Sequence, residues 1–340
     1  MIRIEDPGLF TTVQDQGRWG YQAYGVSVAG AMDRFASRIA NLLAGNSEDA
    51  AVLELTLRGG RFRFAAGCFA ALAGAEMAAA VDGTPVANWS CFYIPAGGEL
   101  SLGWAQSGCR AYLAIAGGID VPPVLGSRST YTRAAIGGME GRALRCGDQL
   151  AAGAAAFPVA AGRLDERFIP DYDGELLLRV LAGPQDDWFS EQGKATFCNS
   201  VYTISEDADR MGYRLKGPAI AHRGRPDIVS DALCQGAIQV PGHGRPIVMM
   251  ADRQTTGGYA KIAAVIGPDL ARLAQARPGD SLRFRFCSEA EAVDALQAER
   301  QLLRELKAAL DARRRETVRR LRLTVNGQAY CVQIKESEEA

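Results

Sequence analysis

Charge of one sign is missing from this sequence. Lys and Arg total 38 against 39 Asp and Glu, a net charge of −1, so the chain creates no field that would gather nucleic acid or an anionic membrane surface. Long apolar runs are missing too. No stretch approaches the roughly 18–20 apolar residues that cross a bilayer, and the opening Met1-Ile2-Arg3-Ile4-Glu5-Asp6-Pro7 has no signal-peptide core. A cytoplasmic protein with neither nucleic-acid nor membrane partners is expected. Histidine is scarce: His222 and His243 match no common zinc spacing, so no metal site is assigned. None of the eight cysteines forms a Cys-x-x-Cys pair, and without an export signal they read as reduced thiols. There is no Gly-x-x-x-x-Gly-Lys-[Ser/Thr] loop, no Gly-x-Gly-x-x-Gly after a strand and no Gly-x-Ser-x-Gly elbow. Any ATP involved is expected on another chain. Gly279-Asp280-Ser281-Leu282 spells a tetrapeptide of some serine hydrolases, but it follows Pro278 and opens an alternating strand, which reads as a turn.

What is present is β patterning. With 48% apolar residues and 38 glycines in 340, the chain can bury a large core and make many tight turns. Short apolar runs at Ala51–Leu57, Phe62–Phe64, Phe92–Ile94, Leu100–Leu102 and Arg110–Ala116 alternate with turn signals, among them the hairpin dipeptide Asp82-Gly83. A helix is expected near 31–45, where Ala31, Phe35, Ile39, Leu42 and Leu43 share a face. Residues 151–173 read as a linker. A second β unit follows, through Leu176–Leu181, Ile247–Met250 and the alternating Leu282–Phe286. Between Glu289 and Arg320 the chain reads as one long helix, with the stripe Val293, Leu296, Leu303, Leu306, Leu310 turned onto its own protein and Asp311/Arg315 and Glu316/Arg320 at ion-pair spacing. A terminal hairpin about Asn326-Gly327 completes it. The fold class is therefore mainly β with some α, divided into units 1–165, 174–287 and 288–340.

Three stretches set polar groups among glycines, where backbone and side chains converge on a ligand. In residues 8–33, Asp15 and Arg18 form an ion pair that fixes a loop, or an arginine fork and the Gln14 amide face a small polar substrate. In residues 125–131, Ser127, Arg128, Ser129 and Thr130 either cap turns or bind. The third brings together Asp209, Arg210, Met211, Gly212, Tyr213 and Arg214, then Gln239, then Asp252, Arg253, Gln254, Thr255, Thr256, Gly257, Gly258 and Tyr259, at the ends of buried strands. With histidine nearly absent, catalysis here rests on oriented hydrogen bonds and shifted carboxylates.

The segments PGLFTTVQDQGRWGYQAYGVSVAGAMD, ANLLAGN, AYLAIAGGID, LGSRSTY, DRMGYRLKGP, GAIQVPGHGRPIVMMADRQTTGGYAKIA and PGDSLRF resemble, in order from residue 7 to about 286, the biotin-dependent carboxyltransferase or allophanate-hydrolase-subunit-2-like family. That family includes the C subunit of 5-oxoprolinase and the antagonist of the sporulation-kinase inhibitor. The resemblance implies two cyclophilin-like β-barrel units and a role in a complex with a subunit-1-like protein, the B subunit of 5-oxoprolinase, and with the A subunit of that enzyme. The complex would use ATP, held by a partner, to hydrolyse 5-oxoproline to glutamate. It marks Asp15, Arg18, Arg210 and Asp252 as candidate catalytic groups, and Gln14, Arg128, Ser129, Arg214, Gln239, Gln254, Thr255, Thr256, Gly257, Gly258 and Tyr259 as candidate contacts for a small amide substrate, all meeting in one cleft. No cofactor is assigned to this chain. Two alternatives stay open: carboxyl transfer to urea or another amide from biotin on another chain, and a regulatory module that binds its partner without turnover. The tail is similar to the opening of a biotin carrier domain but lacks the Ala-Met-Lys-Met attachment sequence. Replacing Arg210 or Asp252 with alanine is expected to lower activity far more than stability.

Overall fold

A computed structural model describes residues 1–155, 159, 161–172, 174–315, 318–325 and 328–335, the last two segments by their backbone. The expected strands form, and for the expected reason. In Arg61–Phe64, Phe62 and Phe64 point inward while the arginines face solvent, and Ser281–Phe286 buries Leu282 and Phe284 in the same alternation. Asp82 and Gly83 both take positive φ, 48° and 79°, and join strands Ala80–Val81 and Thr84–Pro85. Gly279-Asp280 is a turn: Gly279 has φ +95° and the Asp280 carboxylate accepts from the Arg277 N–H.

Strands of the first unit divide between two sheets. In one of seven strands, Ile2–Asp6 lies between Arg61–Phe64 and Gln149–Ala152; in the other, of six, Ser107–Ile115 lies between Val52–Thr56 and Cys68–Glu76. Ile4, Leu53, Leu55, Phe62, Leu72 and Leu113 fill the core between them. The outer face of the six-stranded sheet carries helix α1 (Arg34–Leu43), which starts where the Asp33 carboxylate caps the Ala36 N–H at 2.9 Å and buries Phe35, Ile39, Leu42 and Leu43.

The second unit is a closed seven-stranded barrel. Closure joins its first and last strands, Leu176–Ala182 and Ser281–Phe286, in parallel, from Leu176 opposite Leu282 to Val180 opposite Phe286. Helix α2 (Glu191–Asn199) plugs it, with Phe197 stacked on Phe284 at 4.5 Å between ring centroids. Met32 of the first unit reaches into this barrel's core, so the units share buried apolar surface.

Helix α3 (Gly267–Gln275) packs back on strand Ser107–Ile115 of the first unit, and helix α4 (Glu289–Arg315) buries Leu303 and Leu306 against α1. The expected stripe is therefore used within the chain, although Val293, at 50% exposure, lies outside it. Strands Val318–Val325 and Gln328–Lys335 pair antiparallel; Asn326-Gly327 and the Arg315, Glu316 and Arg320 side chains lie outside the described residues. Among the described residues no helix is long and apolar enough to cross a membrane.

Candidate functional site

The site is built on a glutamate in an apolar strand. Leu53 and Leu55 of Val52–Thr56 point into the first core, so Glu54 faces the opposite side, toward α1, and is 1% exposed. Its carboxylate accepts from the Met32 N–H at 2.8 Å and the Tyr112 hydroxyl at 2.9 Å, and takes Nη1 of Arg210 from the second unit. Arg210 is projected by a turn in which the Asp209 carboxylate accepts from the Met211 and Gly212 N–H groups. The remaining guanidinium donors go to Asp252, at 3.0 and 2.8 Å, and to the Gly30 carbonyl at 2.7 Å. Glu54, Arg210 and Asp252 are all buried, and the cluster crosses the junction of the two units.

A second arginine crosses in the other direction. Arg110, on strand Ser107–Ile115, donates through Nη1 to the Tyr213 hydroxyl at 2.6 Å and the Ala274 carbonyl at 2.5 Å. Gln275 at the end of α3 fixes its backbone, accepting from the Cys109 and Arg110 N–H groups and donating to the Arg110 carbonyl and to Asp33. Asp33 also accepts from the Tyr172 hydroxyl at 2.6 Å, and its N–H donates to Tyr112 at 2.7 Å. One continuous hydrogen-bonded network thus runs from α3 to Asp252.

Above it opens a cleft of about 310 Å³, lined from the first unit by Phe10, Thr56, Arg110, Thr132 and Arg133 and from the second by Asp209, Arg210, Met211 and Asp252. Arg133 and Asp209 approach to 3.6 Å across its rim, both well exposed, a contact worth little by itself. Burial holds the Asp252 carboxyl above the ordinary range although Arg210 pulls it down. The Arg210 guanidinium is opposed by burial, but Asp252 and Glu54 outweigh this and hold it above its usual value. Burial likewise raises Asp33, takes Tyr213 up to about 12 and takes Tyr112 well above its usual value. The Nε of Arg110 is buried without an acceptor. The cleft wall therefore combines the Arg110 guanidinium, whose Nε is buried just behind it, two threonines and the Arg210–Asp252 ion pair. Among the described residues no three histidine, cysteine or carboxylate side chains gather closely enough to hold a metal ion.

Of the residues anticipated from the sequence, Arg210 and Asp252 line this cleft. Gln14, Asp15, Arg18, Arg128 and Ser129 come together in a different place, binding one another. The Asp15 carboxylate accepts from the Gly17 N–H, the Ser127 and Ser129 hydroxyls and the Arg128 N–H, at 2.8, 2.7, 2.5 and 2.5 Å. Arg18 does not pair with it but donates to the carbonyls of Val124, Ser127 and Ser129, and Gln14 donates to the Thr130 carbonyl. This latch fixes the loop that continues into Thr132 and Arg133, so it supports the cleft wall from behind. Arg214 faces outward, as its place beside the buried Tyr213 in an alternating strand requires, and donates to the Asp207 carbonyl. Thr256, Gly257, Gly258 and Tyr259 form a strand paired with Asp227–Ala232 in a small two-stranded sheet, with Gln254 and Thr255 leading into it and Gln239 beneath, donating to the Tyr259 carbonyl. None of these lines the cleft. The groups that sequence reasoning missed, Glu54 and Arg110, each carried one signal: a lone charge inside or at the head of an apolar strand.

Comparison with known proteins gives a consistent result. The family described as carboxyltransferase domain, subdomain A and B, matches residues 24–286. The chain is 40% identical to the C subunit of 5-oxoprolinase from Escherichia coli (strain K12) over 311 residues, covering 90% of this chain and 97% of that one. It is 32% identical to the urea amidolyase of Lachancea kluyveri over 92% of this chain but only 18% of that protein. Among solved structures, the urea amidolyase of K. lactis superposes with a TM-score of 0.84 at 29% identity, covering 90% of this chain and 20% of that one.

Proposed function

Since the chain belongs to the carboxyltransferase domain, subdomain A and B, family, we propose that it is the C component of an ATP-dependent 5-oxoprolinase, in which the A and B components join it to open the lactam of 5-oxoproline to glutamate. The observation that carries this reading is identity to the C subunit of 5-oxoprolinase across nearly the full length of both chains. The cleft is suited to such chemistry. Attack on a resonance-stabilised amide puts negative charge on the carbonyl oxygen and demands a proton at nitrogen. Arg110, with its buried Nε unsatisfied, supplies the oxyanion donor. Asp252, whose oxygens both accept from Arg210 and whose carboxyl burial holds above the ordinary range, is the acid–base group that exchanges a proton with the amide nitrogen. Arg210 spends its donors on Asp252, Glu54 and Gly30, which makes it a positioning residue that orients Asp252 rather than a group that touches substrate. ATP is held by a partner.

The full chain purified with its two partner proteins should release glutamate from 5-oxoproline only when ATP and all three chains are present. Arg110→Gln should lower kcat by about 100-fold, the usual loss for one oxyanion donor. Undiminished release on omitting this chain would refute the proposal. The close superposition on urea amidolyase favours a second reading, carboxyl transfer to urea or a related amide, for which activity would instead depend on a biotinylated carrier protein and a carboxylated product would appear.

A further inference from the structure

Helices α1, α3 and α4 converge on a second cavity of about 210 Å³ that shares no lining residue with the cleft. Its polar lining is unbalanced: Arg34 and Arg38 of α1 and Arg300 of α4 stand against one carboxylate, Glu299. Arg34 and Arg38 are one helical turn apart and so project together, an arrangement in which like charges repel. Neither they nor Arg300 forms an ion pair among the described residues. The face of the Arg34 guanidinium is covered by Trp19, 4.9 Å from the ring centroid, but stacking leaves the N–H edge unsatisfied, and Nε and Nη2 are buried with no hydrogen-bond acceptor. Buried guanidinium donors without acceptors are costly. Burial first, then repulsion from Arg253 and Arg38, brings the Arg34 guanidinium down to about 10, a mark of how poorly its charge is compensated by the chain itself.

From this juxtaposition we infer that the α1–α3–α4 cavity is a binding site for a small oxyanion, a carboxylate or a phosphate, gripped by the N–H edge of Arg34 and closed over by Arg38 and Arg300. An oxyanion supplies the acceptors that Nε and Nη2 lack and offsets the excess of positive charge. The volume admits a free phosphate or an amino-acid-sized carboxylate and is too small for a nucleotide, since sites for larger ligands run to roughly 300–1,000 Å³. Anion binding here is a property of this chain alone and does not depend on the reaction assigned to the cleft.

The test is isothermal titration of the full chain with inorganic phosphate and, separately, with glutamate, at constant ionic strength set with chloride, with tryptophan emission as a second readout because Trp19 stacks on Arg34. Saturable binding of either probe is expected, phosphate alone marking a phosphate site, glutamate alone a carboxylate site, and both a general oxyanion site. Arg34→Gln should weaken it by at least about ten-fold, the loss of one charge-assisted contact. Arg300→Gln, at an exposed position that should leave the fold intact, should weaken it less, whereas Arg304→Gln one turn further along α4 should leave it unchanged. Failure of both probes to saturate, or binding that survives Arg34→Gln and Arg300→Gln undiminished, would overturn the assignment. Loss of glutamate release with anion binding intact would count against the cleft and leave this site standing.

Discussion

Arg210→Met removes a guanidinium shared by two buried carboxylates, and its consequence is first a matter of stability. Glu54 is 1% and Asp252 3% exposed, and three of their hydrogen bonds, together with the Gly30 carbonyl's, depend on this one side chain. Methionine fills comparable volume but leaves two carboxylates facing each other without a counter-charge. Breaking a buried pair in this way destabilises by about 3–5 kcal/mol, well above a median substitution at about 1 kcal/mol. Loss in the variant must also depend on pH. Without the arginine that pulls it down, the Asp252 carboxyl, already held above the ordinary range by burial, binds its proton more tightly still than in the unfolded chain. Its stabilising contribution is then complete below the unfolded value and is lost as pH rises through the folded value. The gap from the parent should therefore be widest near pH 7 and narrow toward pH 5, by up to about 1.4 kcal/mol per pH unit for each proton taken up. Urea unfolding followed by tryptophan emission and far-ultraviolet circular dichroism at the two pH values measures it, provided the two probes coincide. A loss below about 1 kcal/mol at pH 7, or one unchanged at pH 5, would refute the buried-cluster account. Adding Asp252→Asn and Glu54→Gln to the variant should recover part of the loss, a non-additivity expected only of groups in contact. The expectation that alanine at Arg210 mainly affects activity is reversed by its burial: the side chain is a strut between units before it is anything to a substrate.

Asp15→Asn presents an amide N–H to a position where four donors converge; it should destabilise by about 1–3 kcal/mol and raise KM more than it lowers kcat, because the loop it anchors carries Thr132 and Arg133, which steady-state kinetics would read. Leu306→Ala, under α4, should lower stability by about 2–5 kcal/mol while leaving the barrel's near-ultraviolet signal intact, detaching the helix from α1. Burial takes the Cys68 thiol up to about 11, so at pH 7 it holds roughly 300-fold less thiolate than an ordinary free thiol of pKa about 8.5 and, with the greater nucleophilicity of the more basic thiolate offsetting part of this, should react with a disulfide reagent at least about ten-fold more slowly; mass-mapped labelling kinetics check it.

Local order was legible in the sequence because it is local. Alternation in Arg61–Phe64 and Ser281–Phe286, the Asp82-Gly83 turn and the one-sided stripe of α1 each depend on a few neighbouring residues, and the structure places all of them as their patterns require. Closure of the barrel depends instead on Leu176–Ala182 pairing with a strand about a hundred residues later, and no local period encodes a partner at that distance. Polar density was a poor guide to the site for a related reason. Residues 254–259 are polar because they form a small solvent-facing sheet with Asp227–Ala232, and residues 14–18 and 127–129 are polar because they bind each other.

The informative positions were those where a charge interrupts an apolar strand. Glu54 stands among Val52, Leu53 and Leu55, and Arg110 heads Ala111–Ala114. A buried charge is tolerated only when something pairs with it, so each one implied a partner from elsewhere in the chain. Here the partners come from the other unit: Arg210 for Glu54, and Tyr213 with Ala274 for Arg110. Two unpaired-looking charges in the first unit and two polar groups near one strand of the second thus specify a single junction, where Arg210, already paired with Asp252 in its own unit, also supplies the counter-charge for Glu54 of the first, and the cleft opens at that junction. Reading such sequences from their misplaced charges inward, rather than from their polar clusters outward, leads to Arg110 and Glu54 directly.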